Sequence, residues 1–440
     1  MIMTADAELL HDPTVIATRD LIRIDTTNWG SGKSAGEREA AEYLEARLAA
    51  MGLKTDVFES EPRRTSVVAR VAGRNPEKPA LVVHGHTDVV PSNPEDWSVD
   101  PFGAEVKDGC IWGRGAVDMK NMDAMILTAL EEIHASGRQP ERDLIVAFFA
   151  DEEDGGKLGA HYAVTKFPEL FAGATEAVSE VGGYSISIDG KRAYLLQTGE
   201  KGMLWFRLKS KRHAGHGSRY VPRENNAVTV LAEALVRLTQ HDWSMRLTET
   251  TRDMIDALCE LIGEDATQIS PDELVLRTGS ASSWLTASLR TTVNPTMLDA
   301  GYKVNVIPAE AVVAIDARPL PGEEESFLEQ VREIVGPDIE VEIDWKFLGT
   351  EAPSSGPIVD AARTALDRHD PGAFIIPYLL PAGTDNKSLA RLGINGYGFA
   401  PLRLPLDLDF PAMFHGVDER VPLESVVFGR EVLRDFLLSY

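Results

Sequence analysis

The sequence predicts an α/β fold, in which helices cover a mostly parallel sheet and a second domain is inserted. Three observations lead to this prediction. Helical and strand patterns alternate through the first third of the chain. Two predicted strands, over residues 80–83 and 144–149, are continuous apolar runs, which is typical of central strands covered on both faces. Near Gly199 the pattern changes, and from Pro353 the α/β style returns.

The first third contains two predicted helices and four predicted strands. Residues 12–13 predict a helix through Ile22, and residues 34–37 have the form of a capping box that opens a helix through Ala50. The predicted strands cover residues 55–58, 66–71, 80–83 and 144–149.

The middle of the chain has the pattern of a separate domain. Its predicted elements are an alternating strand, a helix and two further strands, over residues 203–209, 225–238, 312–317 and 339–345. A last helix is predicted over residues 423–438. We therefore predict a discontinuous catalytic domain of residues 1–198 and 350–440, interrupted by an inserted domain of residues 199–349.

The composition limits the classes of function. The 44 Lys and Arg residues against 69 Asp and Glu residues give a net charge of −25, and such an acidic chain does not favour binding to nucleic acid or to an anionic membrane. The N-terminus shows no targeting segment and no apolar run is long enough to span a membrane, so we expect a cytoplasmic protein. Two cysteines, Cys110 and Cys259, exclude a disulfide scaffold and fit a reducing compartment.

Candidate metal ligands lie at the ends of predicted strands or in the loops after them, where an open α/β sheet usually builds its ligand site. LVVHGHTDVVP takes a strand into His84, His86 and Asp88, and GRGAVDMK delivers Asp118 ahead of a helix. Imidazole is the commonest ligand for zinc-like ions, and an Asp two residues on can hold its tautomer. Taken alone, a histidine at a strand end is more often structural, and Asp118 is more often a helix N-cap.

The run LIVAFFADEEDGG ends a buried strand in four carboxylates, residues 151–154. A solvated acidic face is the simpler interpretation, but clustered carboxylates repel one another unless cations compensate them. Adjacent carboxylates also let one bind metal while its neighbour takes a proton from water. Glu180 and His415, each ordinary in its local sequence, complete two histidines and three carboxylates, the ligand set of a two-metal hydrolytic site with one bridging carboxylate.

Together, HGHTDVVP, GRGAVDMK, DEE and a late HGVDE resemble the di-zinc exopeptidases and amidohydrolases. This family includes aminoacylase, acetylornithine deacetylase, succinyl-diaminopimelate desuccinylase, carboxypeptidase G and the cytosolic dipeptidases. The resemblance spans essentially the whole chain. It implies a zinc-exopeptidase-like catalytic domain, an inserted α+β lid and dimerisation domain, and a homodimer formed through that domain. It also implies two divalent ions, with zinc first and cobalt or manganese as alternatives that the same donors accept.

The resemblance implies a role for each candidate. As metal ligands, His86 and Glu180 bind one ion and Glu153 and His415 bind the other. Asp118 bridges the two ions. Glu152 is the general base that deprotonates the attacking water and later protonates the leaving nitrogen. Spacing alone leaves open whether Asp151 and Glu152 or Glu152 and Glu153 serve as base and ligand. Asp88 is the carboxylate that orients His86.

The predicted inserted domain adds three candidates by resemblance. His216, in GHGS, resembles a histidine that reaches the active site of the partner subunit and stabilises an oxyanion, and a structural histidine is the alternative. Asn305 in NVIP and Arg318 in DARP resemble lid residues that contact the carboxylate of the substrate. Arg318 is equally able to pair with Asp316 on its own strand.

Lys387 stands where relatives more often carry Arg, and a lysine cannot make the same two-pronged carboxylate contact.

The sequence therefore predicts a metal-dependent hydrolase of amide bonds in small peptides or N-acyl amino acids, of the dipeptidase, carboxypeptidase or aminoacylase type. One alternative is an aminopeptidase that requires a free amino end, which a comparison of N-acetylated and N-free dipeptides would separate. The other is a metal-stabilised binding protein without catalysis, which the presence of the base and all five ligands disfavours.

Overall fold

The structure is a computed structural model that describes residues 8–440. Residues 1–7 lie outside the described residues. The start of the predicted catalytic domain and part of the N-terminal stretch in which we expect no targeting segment fall on these residues. Within residues 8–440, the helices fall short of the length and apolar character that crossing a bilayer requires.

The elements of the described chain are numbered in order. The helices are α1 (Pro13–Arg23), α2 (Arg38–Ala50), α3 (Lys120–Ala135), α4 (Ala160–Lys166), α5 (Ala227–Gln240), α6 (Glu249–Ile262), α7 (Pro271–Leu276), α8 (Ser282–Ser288), α9 (Glu324–Val335), α10 (Pro357–His369), α11 (Asn386–Leu389) and α12 (Leu423–Ser439). The strands are β1 (Asn28–Gly30), β2 (Lys33–Ser34), β3 (Thr55–Glu59), β4 (Thr65–Val71), β5 (Ala80–His86), β6 (Glu105–Lys107), β7 (Cys110–Trp112), β8 (Leu144–Phe149), β9 (Ala174–Ser179), β10 (Ser185–Ile188), β11 (Lys191–Glu200), β12 (Met203–Lys211), β13 (Gly215–His216), β14 (Thr292–Ala300), β15 (Val306–Ile307), β16 (Glu310–Arg318), β17 (Glu340–Phe347), β18 (Thr350–Glu351), β19 (Ile375–Leu380), β20 (Asn395–Gly398) and β21 (Arg420–Pro422).

The large sheet has ten strands and a parallel centre. Its path is β10-β11-β20-β9-β5-β8-β4-β3, and β18 and β19 also pair with β11. The strands β20, β9, β5 and β8 run parallel, whereas β4 and β3 continue antiparallel at one edge. Successive residues of β5, such as Val82 and Val83, point into hydrophobic cores on opposite faces of the sheet. The predicted α/β fold with doubly covered central strands is thus confirmed.

A second, antiparallel sheet has the order β14-β16-β12-β17. Alternate side chains of β12, among them Leu204 and Phe206, pack with α5 and α9 in a hydrophobic core of their own. Helices α6 to α8 lie within the predicted inserted domain, but their buried residues belong to the core of the large sheet, and α6 and α8 contact β19. The division of the chain at residues 198/199 and 349/350 stays a proposal.

The two predicted helix starts near the N-terminus have different outcomes. Asp12 accepts a hydrogen bond from the N–H of Thr14 and Pro13 begins α1, which confirms the first. The predicted capping box at residues 34–37 is wrong, because Ser34 Oγ accepts from Gly36 N–H and Glu37 makes no side-chain cap. The Glu37 carboxylate is buried and instead lies 3.0 Å from the guanidinium of Arg64.

Candidate metal centre and active-site cleft

Five predicted metal ligands meet at one edge of the large sheet. The carboxyl ends of parallel strands share one edge of a sheet. Three of the predicted ligands lie at or just after the ends of such strands, and the other two lie just before a helix or a strand. These ligands are His86 at the end of β5, Glu153 after β8, Glu180 after β9, Asp118 before α3 and His415 before β21. The fold therefore brings residues separated by hundreds of positions to one place.

The five ligands form two donor groups that share Asp118. Within each group the donor atoms lie within 4.8 Å of one another. Asp118 Oδ1 is 3.1 Å from His86 Nε2, and Asp118 Oδ2 is 3.2 Å from His415 Nε2. Glu180 Oε2 lies 3.5 Å from His86 Nε2, and Glu153 Oε2 lies 3.1 Å from His415 Nε2. Each oxygen of Asp118 thus faces a different group, which is the placement expected of a carboxylate between two ions.

The charge of the cluster fits divalent cations. Glu153 Oε1 and Glu180 Oε2 are buried without a hydrogen-bond partner in the described chain. Burial raises the pKa of Glu153, and burial together with nearby Asp118 raises the pKa of Glu180 to about 8. Buried carboxylates without partners are destabilising unless a cation compensates them, and imidazole with carboxylate donors suits zinc, cobalt or manganese. The residues present therefore fit a pair of such ions.

The protonation of His415 depends on the carboxylates beside it. Burial by itself lowers the pKa of His415, but hydrogen bonds to Asp118 and Glu153 outweigh burial and raise this pKa to about 11. A metal ligand must be deprotonated to bind. Metal binding is consequently coupled to the release of protons from this cluster.

Glu152 lies beside the cluster in a cleft. The cavity there has a volume of about 190 Å³, and its lining includes Glu152, Glu153, His415 and Asp385. Burial and then the neighbouring carboxylates of Glu180 and Asp385 raise the pKa of Glu152 well above its usual range, against the opposing effect of His86. A carboxylate with a raised pKa is suited to accept and return a proton near neutral pH.

Asp88 supports the turn that carries Glu152 and Glu153. Its carboxylate accepts hydrogen bonds from the N–H groups of Glu152 (3.0 Å) and Glu153 (3.2 Å), and from Asn28 Nδ2 (2.9 Å). His86 Nδ1 lies 3.0 Å from the main-chain oxygen of Asp88 and 3.5 Å from its carboxylate. Asp88 therefore contacts His86 mainly through the backbone, while its carboxylate holds the turn.

A buried ionic network continues from this turn, and the sequence analysis did not identify it. Asn28 Nδ2 also donates to Asp151 Oδ1 at 3.2 Å, and Arg64 pairs with both Asp151 and Glu37. Leu158 N–H donates to the other oxygen of Asp151 at 2.8 Å. Asp151 has a φ of 69°, in the left-handed region that non-glycine residues rarely adopt. These contacts stabilise the unusual backbone that starts the turn.

Glu419, which the sequence analysis also missed, shapes the loop that carries Asp118. Its carboxylate accepts the N–H groups of Gly115 (3.0 Å), Val117 (2.5 Å) and Asp118 (3.0 Å) and pairs with Arg114 at 2.8 Å. The signal in the sequence for this role was the acidic end of the HGVDE motif. The loop that Glu419 stabilises, however, lies 301 positions earlier.

The candidates from the predicted inserted domain are placed less uniformly. Arg318 lines the cleft, and its Nε and Nη2 donate to the two carboxylate oxygens of Asp316 at 2.7 and 3.0 Å. His216 and Asn305 are exposed and lie side by side, because β13 pairs with β15 and Gly217 N–H donates to the carbonyl of Asn305 at 2.9 Å. Neither residue lines the cavity that contains Glu152.

Lys387 also lines the cleft, but its charge is paired inside the protein. Its Nζ lies 2.5 Å from Glu200 Oε2, and Glu200 accepts a further hydrogen bond from the N–H of Thr384 at 3.0 Å. Arg318 is thus the lining cation that extends into the cleft from the four-stranded sheet.

Comparison with known proteins found a family, a curated relative and solved structures that this chain resembles. The sequence model of peptidase family M20/M25/M40 matches residues 82–439. Aminoacylase-1 from Pongo abelii is 30% identical over 440 residues, which cover 98% of this chain and 95% of that relative. The structure of the M20 family metallo-carboxypeptidase Sso-CP2 from Sulfolobus solfataricus superposes with a TM-score of 0.76 at 18% identity, covering 97% of this chain and 98% of that chain. The di-peptidase Dug1p from Saccharomyces cerevisiae gives a TM-score of 0.72 at 15% identity, covering 98% and 96%.

Proposed function

This chain belongs to peptidase family M20/M25/M40 and is a metal-dependent hydrolase of amide or peptide bonds, and we propose that it acts on N-acyl amino acids or small peptides through a two-metal site. The family membership confirms the resemblance seen in the motifs. The observation that carries the proposal is the pair of donor groups that share Asp118 beside Glu152. The aminoacylase relative, similar over nearly its whole length, supports the choice of substrates.

The proposed ligand roles follow the two donor groups. His86 and Glu180 would hold one ion, Glu153 and His415 would hold the other, and Asp118 would contribute to both donor groups. Zinc is the first choice, because imidazole and carboxylate donors suit it, and cobalt and manganese are the alternatives. When bound, such ions polarise the carbonyl of the substrate and lower the pKa of water.

Glu152 is the proposed general base and acid. It takes the proton of the attacking water and passes it to the departing nitrogen, which leaves as an amine. Asp88 holds the backbone N–H groups of Glu152 and Glu153, so the base and a ligand keep a constant spacing. This geometry supports the assignment of Glu152 as base and Glu153 as ligand, the order that the resemblance implies.

Arg318 is the proposed anchor for the carboxylate of the substrate. A guanidinium has five N–H donors, and the contacts with Asp316 use two of its nitrogens. The remaining donors are available on the side that lines the cleft. By resemblance Asn305 contributes to the same contact, which in its exposed position requires a rearrangement or a second copy.

We also propose a homodimer formed through the four-stranded sheet. β14 is an edge strand of that sheet, and its Met297 and Leu298 are 73% and 68% exposed. Val228 and Val236 on α5 are exposed as well. Apolar edges of this kind favour pairing with another chain. Association there, with His216 of one copy serving the cleft of the other as an oxyanion donor, is the arrangement that the resemblance implies. A monomer in sedimentation equilibrium at micromolar concentration would exclude it.

The function is tested with metal-loaded protein on a panel of N-acetyl amino acids and N-free dipeptides. We expect turnover by the unaltered chain and its loss in Glu152→Ala, with the metal content unchanged. Substantial residual turnover in that variant would overturn the role of Glu152. Cleavage of the N-acetylated substrates would exclude an obligate aminopeptidase, and failure to cleave any substrate with metal bound would favour a binding protein.

A cytoplasmic location is part of the same proposal. Cys110 and Cys259 are both free thiols, which suits a reducing compartment. Fractionation of the source cells, with antibodies against the chain, tests this location.

A further inference from the structure

A wall of aromatic side chains borders the cleft on the side of the four-stranded sheet. Alternation along β12 directs Phe206 into the core with α9, so that Trp205 faces the opposite way and lines the cleft. Trp345, on the neighbouring β17, pairs with Trp205, and Phe347 follows two residues later and also lines the cleft. The rings of Trp345 and Phe347 pack edge to face with centroids 5.1 Å apart. We name Trp205, Trp345 and Phe347 the aromatic wall.

Trp205 takes part in two neighbouring cavities. The first, of about 190 Å³, contains Glu152, His415 and Arg318. The second, of about 410 Å³, is lined by Trp205 and Trp345 but also by charged side chains, those of Glu61, Asp151, Asp154, Lys157 and Asp344. A cavity of about 150 Å³ with apolar walls accepts a benzene molecule. The first cavity, whose lining includes Met203 and Phe347 beside Trp205, therefore has room for a ring or a short chain of carbons on a substrate that reacts beside Glu152.

Trp345 supports the other two members of the wall. Its ring packs against that of Phe347, and the residue pairs with Trp205 across the sheet. Lys157 Nζ lies 3.5 Å from the centroid of the Trp345 ring and covers one face of it. Trp345 does not line the first cavity, so it acts on that cavity by positioning Trp205 and Phe347.

We propose that the aromatic wall is a specificity subsite for a large apolar group of the substrate, either an aromatic ring or a long aliphatic chain. The inference rests on the proposed function, in which Arg318 binds the carboxylate and Glu152 acts at the amide. Aromatic rings bury large areas and pack favourably edge to face or offset against other rings. The substrates are then amides with a bulky apolar substituent on the acyl group or on the amino-acid side chain.

The test compares two substrate series in the metal-loaded enzyme. One series varies the acyl group, from N-acetyl to N-benzoyl on the same amino acid, and the other varies the side chain, from N-acetylalanine to N-acetylphenylalanine. We expect the unaltered chain to favour the larger group in one series, and Trp205→Ala or Trp345→Ala to reduce that preference in kcat/KM roughly tenfold. Trp205→Phe should restore most of it. The series that responds identifies the end of the substrate that the wall binds, and an unchanged preference in both alanine variants would overturn the proposal.

Trp243→Ala is the matched control. Trp243 packs against Phe327 with ring centroids 5.0 Å apart and lines neither of the two cavities. Its removal should leave both preferences as they are. A loss of preference in this control equal to that in Trp205→Ala would show that damage to the domain, and not the wall, is responsible.

A binding measurement separates failure of this inference from failure of the proposed function. The variant Glu152→Gln is titrated with N-benzoyl and N-acetyl amino acids, and the Kd values are obtained by isothermal titration calorimetry, which does not depend on the tryptophans. Tighter binding of the larger ligand, lost when Trp205→Ala is added, supports the subsite even if the unaltered chain hydrolyses neither. Equal Kd values for both ligands, with turnover of both intact, would overturn the subsite and leave the function standing.

Discussion

The large sheet and the four-stranded sheet build the cleft in different ways. The ligands and supporting residues of the large sheet are mostly buried and bonded to one another, as the contacts of Asp88 and Glu419 show. The candidates of the other region are half-buried or exposed, and His216 and Asn305 do not line the cleft at all. One region is preorganised by contacts within the chain, whereas the contacts that we propose for the other are with the substrate or with a second copy. Substitutions in the first should therefore alter metal content and stability, and substitutions in the second should alter substrate constants.

Asp118→Asn should have the largest effect. The change removes the charge that both donor groups share, so both ions bind less tightly. Turnover should fall by roughly a thousandfold, corresponding to the several kcal/mol that metal polarisation supplies. The control is Asp123→Asn, because Asp123 is also fully buried but belongs to neither donor group. Two ions per chain in Asp118→Asn, measured by elemental analysis, would refute the bridging role.

Arg64→Met tests whether the buried network stabilises the large-sheet region. It leaves Glu37 and Asp151 buried without their countercharge, so the free energy of unfolding should fall by about 3–5 kcal/mol. The control is Arg23→Met, since Arg23 and its partner Asp20 are 45% and 39% exposed and such pairs contribute at most about 1 kcal/mol. Denaturant unfolding measures both. Similar losses in the two variants would show that the buried network stabilises the large-sheet region no more than an exposed ion pair does.

His84 should make the stability of the large sheet depend on pH. Burial lowers the pKa of His84 from 6.5 to about 4. Between these two values the unfolded chain binds a proton and the folded chain does not, so stability present above pH 6.5 is lost as the pH falls towards 4. The expected loss from this residue is about 3 kcal/mol. His84→Asn should remove that part of the slope in unfolding free energy against pH, and an unchanged slope would show that His84 does not cause it.

Arg318→Met should have the smallest effect and act on substrate binding. Losing its contact with the substrate carboxylate should raise KM roughly tenfold, which is about 1.4 kcal/mol, with the metal content unchanged. Arg207→Met is the control, because Arg207 pairs with Asp344 on an exposed face of the same sheet and does not line the cleft. A fall in bound metal in Arg318→Met would mean that the two regions are coupled more closely than their contacts indicate.

Whether the role of a residue could be predicted from the sequence depended on how far along the chain its contacts lie. The ends of β5 and β8 were predictable, because continuous apolar runs mark these strands and parallel strands share an edge. β9 was not predicted, and Glu180 after it was assigned only through the resemblance of the motifs. The roles of Asn28, Arg64 and Glu419 were not predictable, because their partners lie 60, 87 and 301 positions away. The capping signal at residues 34–37 failed for the same reason, since Glu37 pairs with Arg64 across the fold.

The position of Glu419 has a consequence for how the protein matures. One short stretch near the end of the chain supplies both a proposed metal ligand, His415, and the carboxylate that accepts hydrogen bonds from the amides of the loop around Asp118. During translation, the first half of the large sheet therefore leaves the ribosome with an unfinished loop and no complete second donor group. On the proposed ligand roles, the second donor group is complete only when this last stretch has been synthesised and has docked. A product that ended before it would also lack α12, which packs against α3 and α10 in the main core.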